Sequence, residues 1–132
     1  MRSDFRDLEI WQKGQQIRKI ISELVKILPM EEKYRLGDQM IRASRSITAN
    51  IAEGYGRFHY QETVQFCRQA RGSAYELFDH MTVAYDCNYI DVDKFNDLEL
   101  KIKDFIKQLN GYIKYLKDKK ISSCISKKIL ST

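Results

Sequence analysis

Residues 95–116, FNDLELKIKDFIKQLNGYIKYL, have the most regular pattern in the sequence. Their apolar side chains recur in alternating steps of three and four positions, at Phe95, Leu98, Ile102, Phe105, Leu109, Tyr112 and Leu116. This spacing places all of them on one face of a helix. Asp91, just before the stripe, is a suitable N-cap. The pattern therefore predicts a helix over about residues 92–118 with one face buried in a core.

Three earlier segments show the same periodicity, which predicts helices over about residues 7–28, 36–54 and 60–88. Pro29 follows the first of these helices and is expected to end it. The buried stripes are expected at Ile10, Gly14, Ile17, Ile21, Leu24 and Leu28, at Leu36, Met40, Ala43, Ile47 and Ile51, and at Val64, Cys67, Ala70, Ala74, Leu77, Met81 and Ala84.

Four long helices with short connections predict an all-α fold, specifically an antiparallel up-down-up-down four-helix bundle. The chain of 132 residues has one proline and six glycines, which are too few turn formers for a β-sandwich or barrel. Its length suits a single domain, which we place at residues 1–120. Residues 121–132 are polar, irregular in pattern and rich in Ser and Lys, and they are expected to form a fraying extension or a tail.

Catalytic and cofactor motifs are missing from the sequence. It contains two histidines, His59 and His80, and neither belongs to the Glu-x-x-His pairs that a di-iron bundle needs on two helices. His59 is expected instead to act as a weak cap of the third helix. No G-x-S-x-G, Walker or GxGxxG motif occurs. We therefore expect no enzymatic activity, no metal site and no cofactor.

The cysteine pattern and the lack of apolar targeting segments both predict a cytoplasmic protein. Cys67, Cys87 and Cys124 are odd in number and form no CxxC pair, which is typical of a reducing compartment. Cys67 and Cys87 lie on one predicted helix, about 30 Å apart, and are expected to be small core residues. The first ten residues are rich in charge, and no apolar run reaches bilayer length.

The segment 39–57, QMIRASRSITANIAEGYGR, holds polar residues at costly positions. Asn50 lies on the apolar stripe, where its amide needs partners, and Glu53 opposes the helix dipole in the last turn. We interpret both as structural rather than as a ligand site. Asn50 is expected to bond a neighbouring helix or the hairpin turn, and Glu53 to pair with an arginine. Gly54 and Gly56 suit the left-handed residue that commonly closes a helix.

The net charge of +5 is unevenly distributed along the chain. Residues 112–132 hold six lysines against one acid, and the remaining residues are neutral as a whole. Residues 34–75 hold six arginines and three acids, whereas residues 76–111 hold four lysines and eight acids. Such segregation is typical either of an anion-binding face or of oppositely charged neighbours in an assembly.

Four arginines are expected at one level of the bundle if the hairpin between the second and third helices is centred near Arg57. These residues are Arg42, Arg45, Arg68 and Arg71. Four guanidinium groups at one level form a patch suited to phosphate. The alternative is that the patch meets the acidic stretch 76–111 of its own or a neighbouring subunit. A second, separate candidate surface consists of Lys117, Lys119 and Lys120.

Residues of the first three segments also carry a resemblance to a known family. They are Trp11, Gln12 and Lys13, then Ser46, Ile47, Asn50, Ile51, Ala52, Glu53, Gly54, Gly56 and Arg57, and finally Phe66, Ala70, Gly72, Ser73, Glu76 and Leu77. The sequence resembles the four-helix-bundle proteins encoded by intervening sequences within bacterial 23S ribosomal RNA genes. The resemblance implies an all-helical bundle that assembles as a homopentamer without established enzymatic activity. A related branch is similar to the accessory variability determinant of diversity-generating retroelements, a basic ring that binds nucleic acid and a reverse transcriptase.

Two functions are compatible with the sequence. The first is a non-enzymatic, oligomeric scaffold that binds nucleic acid or associates with ribosomal RNA. The alternative is a protein-interaction subunit, such as an accessory partner of a reverse transcriptase, whose charged faces serve assembly only. Salt-sensitive binding to RNA or DNA separates them, because phosphate contacts release counterions.

Overall fold

The computed structural model describes residues 4–130 of the chain, without the side chains of residues 123, 124 and 126–130. Four long helices account for most of these residues: α1 (Glu9–Val25), α2 (Leu36–Tyr55), α3 (Tyr60–Asp86) and α4 (Val92–Leu130). A 3-10 turn, Phe5–Asp7, precedes α1, and a one-turn helix, Met30–Lys33, lies between α1 and α2. No β-strand occurs in the described residues. The expected all-α fold with four helices is therefore confirmed.

Helix α1 is shorter than expected at both ends. Leu8 adopts an extended conformation, which separates the 3-10 turn from Glu9. At the other end, Leu28 N–H donates to Val25 O in a tight turn, and Pro29 then precedes the one-turn helix. Pro29 is therefore not the residue that directly ends α1, because the helix has already given way to turns three residues earlier.

Helix α2 ends without a left-handed glycine. Gly56 has a φ of −77°, and no glycine in the described residues has a positive φ. The expectation for Gly54 and Gly56 was therefore wrong. Gly54 serves a different purpose, because a Cβ added there would lie 2.8 Å from Phe66 Cβ on α3. The Thr63 hydroxyl also donates to Gly54 O at 3.0 Å, so the two backbones meet closely at this point.

Helix α3 has the left-handed ending instead, at Asn88, whose φ is 62°. Asn88 N–H donates to Tyr85 O, and Tyr89 N–H donates to Ala84 O, which together form a Schellman motif. Asparagine tolerates this conformation better than most residues. The next helix, α4, is capped as expected, since Lys94 N–H donates to the Asp91 carboxylate at 2.8 Å.

Helix α4 continues well beyond the end expected near residue 118, and residues 121–130 are helical rather than an irregular tail. No proline interrupts the segment, and Leu116 is its last buried residue among those described. Ile121 and Ile125 are 57% and 53% exposed, so this extension projects past the core. Only the irregular conformation expected for this segment was wrong, because helix propensity does not require burial. Residues 131 and 132 lie outside the described residues.

The predicted stripes form one continuous core. Each helix contributes side chains that are almost completely inaccessible to solvent, including Ile17, Ile21, Leu24, Met40, Ile47, Ile51, Leu77, Met81, Leu98, Ile102, Phe105 and Leu109. Helices α2 and α3 make the most extensive contact, and the fully buried alanines Ala70, Ala74 and Ala84 keep α3 close to its neighbours. No helix in the described residues is long and apolar enough to cross a membrane.

The close approach at Gly54 yields a stability prediction. We expect Gly54→Ala to lower the free energy of unfolding by about 1–2 kcal/mol, because Phe66 Cβ cannot move without its backbone. The matched variant Gly72→Ala has nothing within 4 Å of the new Cβ and should raise stability by about 0.5–1 kcal/mol. Urea denaturation followed by circular dichroism measures both. Equal effects of the two substitutions would contradict the close-approach explanation.

A second prediction concerns the buried thiol of Cys67, whose pKa burial raises from 9.0 to about 11. The folded state then holds this proton longer than the unfolded chain, so its contribution to stability is complete below pH 9 and is lost as the pH rises to about 11. Between these pH values, Cys67→Ala should lose about 2 kcal/mol less stability than the unmodified protein. Cys87→Ala is the control, because Cys87 is exposed. Identical pH profiles for all three proteins would contradict this assignment.

Candidate nucleic-acid interface

The register between α2 and α3 decides where the predicted arginines lie. Ser46 Oγ and Ser73 Oγ are 2.8 Å apart, and Thr63 bonds Gly54. These contacts centre the hairpin near residue 59 rather than Arg57. Arg45 and Arg68 are consequently offset by about five residues, or about 7.5 Å along the bundle at 1.5 Å per residue. The prediction that four arginines share one level was therefore wrong.

Arg45 belongs to a small groove between α1 and α2, of about 160 Å³, which Arg18 and Lys19 also line. Arg18 donates to the Thr48 hydroxyl at 2.9 Å and lies over the Trp11 ring, 5.9 Å from its centre. Arg42 is exposed one turn before Arg45 on α2. This part of the protein is basic, but structural contacts already hold Arg18.

Arg68 lies in a larger groove of about 630 Å³ between the first turns of α3 and the later turns of α4. Lys117 and Lys120 line the same groove, which we call the basic groove after Arg68, Lys117 and Lys120. His59 lies at its edge on the α3 side. The structure thus joins one predicted arginine to two lysines that the sequence analysis had placed on a separate surface.

Arg71 is held differently, because its guanidinium donates to Asn110 Oδ1 on α4 at 2.7 Å. This bond joins α3 to α4 and engages one of the donors that a phosphate would use. Arg71 therefore contributes to packing between the two helices, while Arg68, one turn earlier, faces the basic groove.

Lysines and aromatic rings lie together at this end of the bundle. Lys120 Nζ donates to Gln61 Oε1 at 3.2 Å, which ties α4 to the start of α3. Lys119 Nζ lies 5.7 Å from the centre of the Tyr60 ring and 5.6 Å from that of Tyr115. Its hydrogen bond to the Tyr115 hydroxyl raises the pKa of Lys119.

Three carboxylates of the acidic stretch 76–111 form ion pairs away from the basic groove. Asp97 and Glu99 form ion pairs with Lys101 and Lys103 of their own helix. Asp104 pairs with Lys13 of α1. Within residues 4–130 none of the three cations of the basic groove forms an ion pair, although the Glu62 carboxyl lines the groove. One protomer therefore leaves this positive charge available.

Asn50 does not bond a neighbouring helix directly, contrary to expectation. Its amide donates to Ser46 O at 2.9 Å and to Ser46 Oγ at 3.1 Å, one turn back on α2. Ser46 in turn contacts Ser73, so the amide reaches α3 through one intermediate hydroxyl. Asn50 is partly exposed rather than buried on the stripe.

Glu53 forms an ion pair with Arg57, four residues later, and Arg57 Nη2 lies 3.1 Å from Glu53 Oε1. The Arg57 guanidinium also lies over the Phe66 ring, 4.9 Å from its centre. Glu53, Arg57 and Phe66 thus connect the end of α2 to α3 beside Gly54. These residues stabilise the hairpin and line none of the grooves described above.

Nucleophilic and metal-binding groups show no assembled site in the part of the chain that the structure describes. No three His, Cys, Asp or Glu side chains converge there. Cys67 is buried, whereas Cys87 is exposed, so the core position expected for Cys87 was wrong. Cys87 directly follows the last residue of α3, where the core stripe has ended. His59 occupies the N-cap position of α3 but makes no capping hydrogen bond with its side chain.

Phe58, Tyr60 and Gln61, at the α2–α3 hairpin, were not among the site residues predicted from the sequence. Phe58 is 97% exposed, and the adjoining His59, Tyr60 and Gln61 line the basic groove. The signal in the sequence was a run of three consecutive residues with aromatic rings, Phe58, His59 and Tyr60, at a predicted turn. Helical periodicity could not detect it, because these residues lie between two stripes.

Comparison with known proteins identifies the relatives of this chain. The profile of the 23S rRNA-intervening sequence proteins matches residues 6–111, which confirms the resemblance seen in the sequence. A solved structure from the S23 ribosomal protein family of Bacteroides thetaiotaomicron, itself of unknown function, is similar with a TM-score of 0.74. The similarity covers 80% of this chain and 98% of that one at 21% identity, so it bears on the fold alone. No curated protein matches the sequence significantly.

Proposed function

Because the chain belongs to the family of 23S rRNA-intervening sequence proteins, we propose that it is a non-enzymatic, oligomeric scaffold that binds nucleic acid through its basic groove. The observation that carries this proposal is the convergence of Arg68, Lys117 and Lys120 on one groove without ion-pair partners in the described residues. Unpaired cations in a groove attract polyanions, since each phosphate they neutralise releases counterions.

The composition of the groove supports the same ligand. Arginine and lysine supply charge-assisted hydrogen bonds to phosphate oxygens. Tyr60 and Gln61 add a ring and an amide beside the cations. Contacts of this kind bind the nucleic-acid backbone and carry little sequence information. Ribosomal RNA and other RNA or DNA are therefore all within the proposed ligand class.

The proposed architecture is an antiparallel up-down-up-down bundle. Contacts between α2 and α3 pair Ser46 with Ser73 and Gly54 with Thr63. Residue numbers therefore increase along α2 in the direction in which they decrease along α3, which makes the two helices antiparallel. Contacts between α3 and α4 follow the same rule, as in Arg71 with Asn110 and Gln61 with Lys120. We place this bundle in the cytoplasm, in keeping with the cysteine pattern.

Self-association, as a homopentamer, is the second part of the proposal. A mainly apolar groove of about 400 Å³ between α3 and α4 is lined by Tyr75, Phe78 and Ile106, with Lys103, Lys107 and Asn110 beside them. Tyr75 is 58% exposed, and Leu100 on α4 is 70% exposed. Exposed apolar side chains of this size favour a protein interface. The same surface supports the alternative function, a subunit that contacts a protein such as a reverse transcriptase.

The nucleic-acid proposal predicts a charge-dependent loss of binding. Arg68→Gln combined with Lys120→Gln should weaken binding to random-sequence RNA at low salt, because two phosphate contacts are removed. The slope of log affinity against log salt should become shallower by about one to two units. Fluorescence anisotropy across a salt series measures both quantities.

The matched control is Arg42→Gln combined with Arg45→Gln, which removes the same charge outside the basic groove. This variant should bind nearly as well as the unmodified protein. If both double variants lose affinity equally, net charge rather than the groove attracts the RNA. If the unmodified protein shows no salt-sensitive binding to RNA or DNA, the protein-interaction alternative is preferred.

The assembly proposal predicts that the protein in solution is larger than one chain. Multi-angle light scattering at micromolar concentration should return a multiple of 15.6 kDa. Tyr75→Lys should shift the distribution towards the monomer, because it replaces a half-exposed ring by a third positive charge beside Lys103 and Lys107. A mass of 15.6 kDa for the unmodified protein would exclude a stable oligomer.

A further inference from the structure

Phe58 is the most exposed large apolar side chain among the described residues, at 97%. It lies in the short loop between α2 and α3, where Gly56, Arg57 and His59 are its neighbours. Exposure of a single apolar residue is common, but this residue directly precedes those that line the basic groove. No described ring or cation lies against it. Both faces of the ring are therefore free.

Phe58 directly precedes His59, Tyr60 and Gln61, which line the basic groove. Consecutive Cα atoms are about 3.8 Å apart, so Phe58 is attached at the mouth of that groove. Tyr60 is already covered by Lys119. The chain thus attaches one free aromatic ring directly before the residues that line the groove of Arg68, Lys117 and Lys120.

We propose that the basic groove binds single-stranded nucleic acid, with Phe58 stacking on an unpaired base while Arg68, Lys117 and Lys120 contact the neighbouring phosphates. This inference rests on the proposed function and adds the class of strand that is preferred. A charged groove flanked by aromatic rings is the combination that proteins use to bind single strands without reading their sequence.

A duplex cannot use Phe58 in this way. Its bases are stacked on each other inside the helix, and only a base that has left the stack offers a face to a ring. The cations serve both kinds of strand, since both carry phosphates. Phe58 therefore contributes to affinity for single strands alone, which makes its role separable from that of the charges.

The surroundings of Phe58 favour a nucleic acid over a membrane. An interfacial membrane anchor needs several apolar side chains on one face. The loop offers Phe58 alone among glycine, arginine and histidine. A base supplies the flat apolar face, and its backbone supplies negative charge to the three cations of the groove.

The test compares Phe58→Ala with Phe58→Trp in the full-length protein. The probes are a labelled oligouridylate of about 12 nucleotides and an RNA duplex of equal length. Phe58→Ala should weaken oligouridylate binding about five-fold or more and leave duplex binding within about two-fold. Phe58→Trp keeps a stacking ring and should retain single-strand affinity.

Tyr34→Ala is the matched control for loss of an exposed ring. Tyr34 is 79% exposed and lies before α2, about 30 Å from Phe58 along that helix. It should change neither affinity. Light scattering of every variant establishes whether the oligomer is intact. A change of mass in Phe58→Ala would assign Phe58 to an interface between subunits and would overturn the inference.

The remaining outcomes separate the inference from the function on which it rests. If Phe58→Ala binds both probes as the unmodified protein does, while Arg68→Gln with Lys120→Gln weakens both, the groove binds phosphate and the stacking role is wrong. If neither probe is bound in a salt-sensitive way, the proposed function itself fails. Phe58-dependent sedimentation with phosphatidylserine–phosphatidylcholine vesicles, without oligouridylate binding, would replace the nucleic acid by a membrane.

Discussion

The contact between α2 and α3 at Gly54 is the constraint on which the rest of the structure depends. The missing side chain lets Phe66 Cβ and the Thr63 hydroxyl reach the backbone of α2. Arg57 then closes the corner by pairing with Glu53 and covering the Phe66 ring. Because the register of the hairpin is fixed here, every residue further along α3 has a defined neighbour on α2.

That register also distributes the charges. Acidic residues of α4 are neutralised by lysines on α4 or α1, as in the pairs of Asp97 with Lys101 and Asp104 with Lys13. Each exposed pair adds little stability, but the pairs leave no excess negative charge near the middle of α4. The start of α3 and the later turns of α4 keep their cations free. The positive charge that is not paired within the protomer therefore lies at the end of the bundle that carries the α2–α3 hairpin.

Fold class and core positions could be predicted from the sequence, and the composition of the candidate site could not. In the stripe predicted from Phe95 to Leu116, Leu98, Ile102, Phe105, Leu109 and Leu116 are buried as their spacing indicated, whereas Phe95 and Tyr112 are partly buried. The helix ends were harder, since α4 continues past Leu116 without a core to cover it. Arg45 and Arg68 were assigned to one patch because the hairpin was expected to be centred near Arg57. The actual centre lies two residues later, so the residue that faces each arginine is displaced by a full helical turn. Helical periodicity contains no information about that centre.

The sequence by itself determined which face of each helix is buried, because an apolar stripe must leave water whatever it packs against. It also determined the exposed side chains from which a binding surface could be made. Only the tertiary structure decided which of them meet. The approach of two backbones at Gly54 and the crossing of α4 beside the start of α3 bring Arg68 to Lys117 and Lys120. Such contacts join residues far apart in the chain, and their geometry depends on the packing of all four helices at once.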